Sequence, residues 1–87
     1  MKEREVVIGH ELGLHARAAA KLVQLSQQFQ SSIVLVRAGE PQSVEADARS
    51  ILSILLLAAR FGCTLHVRAE GADEEEALEK VCEYLSG

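Results

Sequence analysis

The stretch GLHARAAA at residues 13–20 fixes where a turn ends and a helix begins. Gly13 has no Cβ, so it can adopt the tight turn that other residues resist. Alanine has the highest helix propensity, so the run that follows predicts a helix that starts next to His15. Unpaired backbone N–H groups and the positive end of the helix dipole meet at such a start. A phosphate on the His15 imidazole would be stabilised there, with the Arg17 guanidinium close by.

Length and composition bound the class of protein. The 87 residues, 48% of them hydrophobic, predict one small domain over residues 1–87 whose core needs no metal or disulfide. The net charge of −4 and the scarcity of aromatic residues argue against a nucleic-acid surface. The charged N-terminus carries no secretory pattern, and no apolar run approaches the ~20 residues that cross a bilayer. We expect a cytoplasmic protein without membrane insertion, with Cys63 and Cys82 as reduced thiols.

Hydrophobic periodicity divides the chain into seven elements. The predicted order is β-α-β-β-α-β-α, with strands at residues 5–8, 33–37, 42–45 and 64–69 and helices at residues 16–29, 51–61 and 74–85. The turn signal Gly39-Glu40-Pro41 predicts a hairpin between the second and third strands. Asp73 precedes the last helix as a predicted N-cap. We therefore expect an α+β fold, an open-faced sandwich of a four-stranded antiparallel sheet with three helices on one face.

The second predicted helix is apolar on two adjacent stripes. One stripe, which can face the sheet, consists of Ile54, Leu57, Ala58 and Phe61. The other stripe, Ile51, Leu52 and Leu55, cannot also be buried easily in so small a domain, so we expect it to be exposed as a docking patch. The alternative is that these three residues belong to the core. Ser50 is suited to cap the start of this helix, and Gly62 is expected to end it.

Three stretches resemble the family of HPr, the histidine-containing phosphocarrier of the bacterial sugar phosphotransferase system. They are Gly13 to Arg17, then Arg49-Ser50-Ile51 ahead of an apolar helix, and Glu70 to Glu74 ahead of Ala77-Leu78. The stretches occur in the order found in that family and together cover nearly the whole chain. The resemblance implies the same open-faced β-sandwich.

The resemblance also implies a role for each matching residue. His15 matches the histidine that takes a phosphoryl group on Nδ1 from enzyme I and passes it to IIA components of sugar permeases. Arg17 matches the arginine that pairs with the phosphate, which the backbone N–H groups of Ala16 and Arg17 also bind. Ser50 matches a serine that HPr kinase/phosphorylase phosphorylates in many bacteria. The matching partner-binding surface comprises Ala20, Ile51, Leu52 and Leu55. We expect a monomeric carrier that is not an enzyme, with no cofactor and no metal.

Three features depart from the family pattern. Ala18 stands where many members have proline, and alanine suits a helix equally well. Leu12 stands where a polar residue is common, so a side-chain hydrogen bond to the phosphate from that position is lost. The segment between Pro41 and Ser50 is slightly longer than usual, so the match of Ser50 depends on a small insertion.

The sequence is also compatible with other functions. A regulatory binding module of the same fold would act mainly through the Ser50 surface on a regulator or an enzyme, and the presence of His15 favours the carrier instead. A metabolite-binding α+β domain would need a polar pocket, which the sequence does not indicate. We expect no hydrolase or metal enzyme, because no nucleophile–base pair or ligand cluster is evident. We predict that His10 and His66 are solvated side chains.

Overall fold

The computed structural model describes residues 1–39 and 42–87. Seven elements follow one another in the predicted order: β1 (Lys2–Val7), α1 (Ala16–Ser26), β2 (Ser32–Arg37), β3 (Val44–Asp47), α2 (Ile51–Leu57), β4 (Thr64–Glu70) and α3 (Glu74–Leu85). The fold class predicted from the sequence is therefore confirmed. Within the described residues, no helix is both long and apolar enough to cross a membrane.

The four strands form one antiparallel sheet in the order β1-β4-β2-β3. β4 lies between β1 and β2, while β2 and β3 form the predicted hairpin, in which Leu35 pairs with Ala46. Glu40 and Pro41, part of the predicted turn of this hairpin, lie outside the described residues. Because the first and third connections each carry a helix, the chain returns repeatedly to one face of the sheet and leaves the other face open.

The core lies between the sheet and the helices. In β4 the side chains of Leu65, Val67 and Ala69 are fully buried, as the alternating sequence predicted. His66 and Arg68 alternate with them on the open face, where His66 pairs with Glu3 of adjacent β1 and Arg68 reaches across β2 to Glu45 of β3. The helices contribute the rest of the fully buried apolar layer, which includes Ala19 and Leu22 of α1, Ile54 and Leu57 of α2, and Ala77, Val81 and Leu85 of α3.

Asp73 precedes α3, but its side chain does not cap that helix. Its carboxylate instead accepts hydrogen bonds from the backbone N–H groups of Gln30 and Ser31, at 2.9 Å each, and from the Ser31 hydroxyl at 2.6 Å. These donors, led by the Ser31 hydroxyl, lower the pKa of Asp73. The predicted side-chain cap is wrong, because a long-range contact to the α1–β2 connection takes up the carboxylate.

Several predicted boundaries are also wrong. α1 ends three residues early, at Ser26, and β3 lies two residues later than predicted. α2 ends at Leu57 and not at Phe61, because Ala58 adopts the left-handed conformation, with φ 53°, and its N–H bonds back to the Leu55 carbonyl. Ala58 is exposed, and Phe61 is 62% exposed. Of the four residues in the predicted buried stripe of α2, Ile54 and Leu57 are buried. Ala58 and Phe61 are not.

Replacing Ala58 with glycine should stabilise the fold. Among described non-glycine residues, Ala58 alone has a positive φ, and glycine relieves the clash of Cβ with the backbone there. We expect the free energy of unfolding, measured by chemical denaturation, to rise by about 0.5–1 kcal/mol, after allowance for the greater entropy of an unfolded glycine. Ala72→Gly, at an exposed turn residue, is the control and should give no gain. An Ala58→Gly protein no more stable than the control would contradict the argument.

Candidate functional site

His15 is the N-cap of α1, at the position predicted from the sequence. Its backbone is extended, with φ −76° and ψ −179°, and its ring Nδ1 accepts a hydrogen bond from the backbone N–H of Arg17 at 3.2 Å. A ring nitrogen that accepts a hydrogen bond carries a lone pair and no proton, so in this arrangement the ring proton is on Nε2. The lone pair of Nδ1 therefore faces the unpaired N–H groups at the helix start.

The loop before His15 is fixed against the segment that follows α2. Gly13 has φ 70°, and its N–H bonds to the His10 carbonyl at 2.8 Å. The N–H of Leu14 donates to the Ala59 carbonyl at 3.0 Å, and the Leu14 side chain is buried. A Cβ on Gly13 would lie only 2.5 Å from the Ala59 carbonyl oxygen. Glycine is therefore needed here both for the backbone conformation and for the close approach to Ala59.

An open pocket of about 140 Å³ lies beside the His15 ring. It is lined by His10, His15, Arg17, Ala18, Lys21 and Tyr84. His10 is partly buried, and its Nε2–H donates to the backbone carbonyl of Tyr84 at 2.7 Å. The two rings lie 4.8 Å apart, and the Tyr84 hydroxyl donates to the Ala18 carbonyl at 3.0 Å. Burial raises the pKa of the Tyr84 hydroxyl.

The expectation that His10 is simply solvated is therefore wrong. Its partner lies 74 residues away in the chain, so no local pattern in the sequence indicates the contact. His66 is instead a surface residue of the open sheet face, where its Nε2 lies 2.7 Å from a carboxylate oxygen of Glu3.

Ser50 caps α2 as predicted: its hydroxyl oxygen accepts a hydrogen bond from the N–H of Ser53 at 3.2 Å. The Ser53 hydroxyl bonds the backbone of Asp47 in turn, at 2.8 and 3.1 Å. Arg49 donates to the carbonyls of Phe29 and Ser31 and so ties the start of α2 to the α1–β2 connection. Ser50 itself stays partly accessible at the beginning of the exposed side of α2.

The exposed side of α2 carries four large apolar side chains. Ile51, Leu52 and Leu55 are 42%, 67% and 39% exposed, so the docking-patch prediction is confirmed as to exposure and the core alternative is wrong. Leu56, at 68%, was missed because the predicted helix placed it in neither stripe. These four residues are called the α2 patch below. On neighbouring α1, Ala20 is half-buried, while Ala16 and Arg17 are exposed beside His15.

The cysteines and the possible metal ligands form no further candidate site among the described residues. Cys63 and Cys82 are free thiols, and burial raises the pKa of Cys82. Across residues 1–39 and 42–87, no three His, Cys, Asp or Glu side chains are arranged to hold a metal ion. The fold and the site thus define a small α+β protein with an accessible, neutral histidine at a helix N-terminus, a class of site suited to a phosphoryl group.

Comparison with known proteins agrees with that class. The family described as "PTS HPr component phosphorylation site" matches residues 2–86. The chain is 43% identical to phosphocarrier protein HPr of Xylella fastidiosa strain 9a5c over 85 residues, which are 98% of this chain and 91% of the relative. It is 41% identical to phosphocarrier protein NPr of Shewanella violacea over 80 residues, 92% of this chain and 84% of the relative.

The structure is similar to the crystal structure of an HPr from Bacillus anthracis. The TM-score is 0.87 at 33% sequence identity, with 97% of this chain and 95% of the other covered. The chain therefore belongs to the HPr family, and it is a phosphocarrier protein of the phosphotransferase system.

Gly13→Ala should destabilise the protein more than Gly62→Ala does. Both glycines have positive φ, +70° and +82°, but a Cβ on Gly62 meets nothing within 4 Å. We expect Gly62→Ala to cost about 1–2 kcal/mol of unfolding free energy from backbone strain alone. Gly13→Ala should cost more, because the Leu14–Ala59 contact must also open, and it should shift the NMR signals of the His15 ring. Equal losses for the two variants, with His15 signals unchanged, would contradict the proposed contact.

Proposed function

We propose that His15 accepts a phosphoryl group on Nδ1 from enzyme I and passes it to IIA components of sugar permeases. The observation that carries this proposal is the placement of Nδ1 as the N-cap acceptor, facing the backbone N–H of Arg17. Because that nitrogen carries an unprotonated lone pair at the positive helix end, it becomes a nucleophile beside a ready anion site once the Arg17 N–H releases it. Membership of the HPr family supports the same assignment.

The transfer needs few groups. The Nδ1 lone pair attacks phosphorus, the bond from phosphorus to the donor breaks, and the donor keeps that electron pair. The N–H groups of Ala16 and Arg17 then bind phosphoryl oxygens, while the Arg17 guanidinium offsets their charge. An exposed helix terminus contributes about 0.3–1 kcal/mol to such an anion. A modest stabilisation suits a carrier, which must release the group to the next protein by the reverse of the same steps.

We propose that the α2 patch, together with Ala20, is the surface on which partners dock. Exposed apolar side chains this close together mark interaction surfaces in small soluble proteins. Arg49, which donates to the carbonyls of Phe29 and Ser31, ties the start of this surface to the α1–β2 connection. Docking requires the patch to be free, so we propose that the protein acts as a monomer. We also propose that residues 1–87 form one domain and that this domain acts in the cytoplasm.

Ser50 is proposed as a regulatory phosphorylation site for an HPr kinase/phosphorylase. Ser50 is partly accessible and directly precedes Ile51 of the α2 patch. A phosphate there adds about two negative charges at the edge of an apolar docking surface, which opposes binding. A purely regulatory role through this same surface is the second candidate function. The exposure of Leu56 alongside the other three residues of the α2 patch supports this candidate.

His15→Ala should abolish phosphorylation by enzyme I and phosphoenolpyruvate while the fold remains intact. The side chain lies at the surface of the helix start, so its loss removes the nucleophile and one capping bond, for about 1 kcal/mol. Intact-mass spectrometry at neutral or alkaline pH should show one added phosphoryl group on wild type and none on the variant. His66→Ala is the matched control and should accept normally. Wild-type incorporation retained by His15→Ala would refute the assignment.

Ser50→Asp should slow phosphoryl acceptance from enzyme I by about tenfold, the equivalent of a ~1.4 kcal/mol unfavourable contact. Ser50→Asn is the matched control, since both side chains cap helices and only one is charged. Rapid-quench measurements on both variants separate the charge from the cap. If the two variants accept phosphoryl groups at the same rate, charge at Ser50 does not control docking.

A further inference from the structure

The pocket beside His15 contains more polar groups than the transfer described above uses. His10, Lys21 and Tyr84 line it together with His15 and Arg17. The Tyr84 hydroxyl is committed to the Ala18 carbonyl, and the His10 Nε2–H to the Tyr84 carbonyl. A neutral His10 then presents an acceptor at Nδ1, which cannot donate to a phosphoryl oxygen. Neither His10 nor Tyr84 therefore offers the pocket a free donor.

Lys21 and Arg17 are the side chains left to donate. They lie four residues apart on α1, so they project from the same side of that helix. Neither the Lys21 ammonium nor the Arg17 guanidinium has a hydrogen bond or an ion pair to any residue in the described part of the chain. None of the six residues that line the pocket is acidic. The pocket thus combines two available cations with the ring that bears the phosphoryl group.

We propose that Lys21 is a positioning residue for the phosphoryl group on His15, acting with Arg17. This inference rests on the proposed function of His15. The Lys21 ammonium, a point charge with three donors, binds a phosphoryl oxygen from the pocket side, while the Arg17 guanidinium and the helix N–H groups bind from the N-terminal side. No bond to Lys21 forms or breaks. The rings of His10 and Tyr84 also line the pocket, but their N–H and O–H donors are taken up by backbone carbonyls.

The test uses potassium phosphoramidate, a small anionic donor that transfers its phosphoryl group without a protein docking step. Lys21→Gln removes the charge, Lys21→Arg restores it, and Lys2→Gln removes a lysine from the far end of β1. We expect Lys21→Gln to slow phosphorylation of His15 by about two- to fivefold, the range for one exposed charge contact. Lys21→Arg should recover most of the rate, and Lys2→Gln should match wild type. The dependence of the rate on salt concentration should be weaker in Lys21→Gln.

Three outcomes count against the proposal. A rate with phosphoramidate that is the same for Lys21→Gln and wild type overturns it. So does a loss seen with enzyme I but absent with phosphoramidate, since that marks Lys21 as a docking contact. Equal losses for Lys21→Gln and Lys2→Gln would reflect net charge alone. If wild type itself shows no phosphate on His15, the proposed function fails, whereas phosphorylated wild type with an insensitive Lys21→Gln overturns only the role of Lys21.

Discussion

The hydrogen bond from the Leu14 N–H to the Ala59 carbonyl is the contact on which the site depends. It joins the loop before α1 to the segment after α2, and it requires that Gly13 carry no Cβ. Ala59 is held in turn by the left-handed turn at Ala58 that ends α2. The nucleophile and the docking patch are therefore fixed to each other through backbone atoms, which keeps their relative position the same as side chains vary.

A second constraint comes from giving the capping position to a reactive side chain. A serine or aspartate would cap α1 at least as well, but His15 uses its nucleophilic nitrogen for this purpose. The capping bond orients Nδ1 without protonating it, so the atom that reacts is already in place. On phosphorylation the N–H that capped the ring becomes a donor to the phosphoryl group, and the helix start exchanges one acceptor for another. The energetic difference between the two states stays small, as reversible transfer requires.

Sequence reasoning succeeded where the signal is local. A glycine before a histidine and an alanine run placed His15, a serine before an apolar run placed the cap of α2, and an excess of leucine predicted an exposed patch. It failed where a contact joins distant parts of the chain. The bonds from His10 to Tyr84 and from Ser31 to Asp73 leave no periodic pattern. The early end of α2 was missed because Ala58 takes a conformation that is expected of glycine, while Gly62 takes it four residues later.

The ring nitrogen that bears the phosphoryl group tests the central claim most directly. After phosphorylation, long-range ¹H–¹⁵N spectra of the His15 ring distinguish substitution at Nδ1 from substitution at Nε2. We expect the phosphoryl group on Nδ1, with the amide signal of Arg17 shifted strongly because its N–H changes partner from the ring to a phosphoryl oxygen. A phosphoryl group on Nε2, or an Arg17 amide signal that does not move, would contradict the claim that the start of α1 positions the reaction.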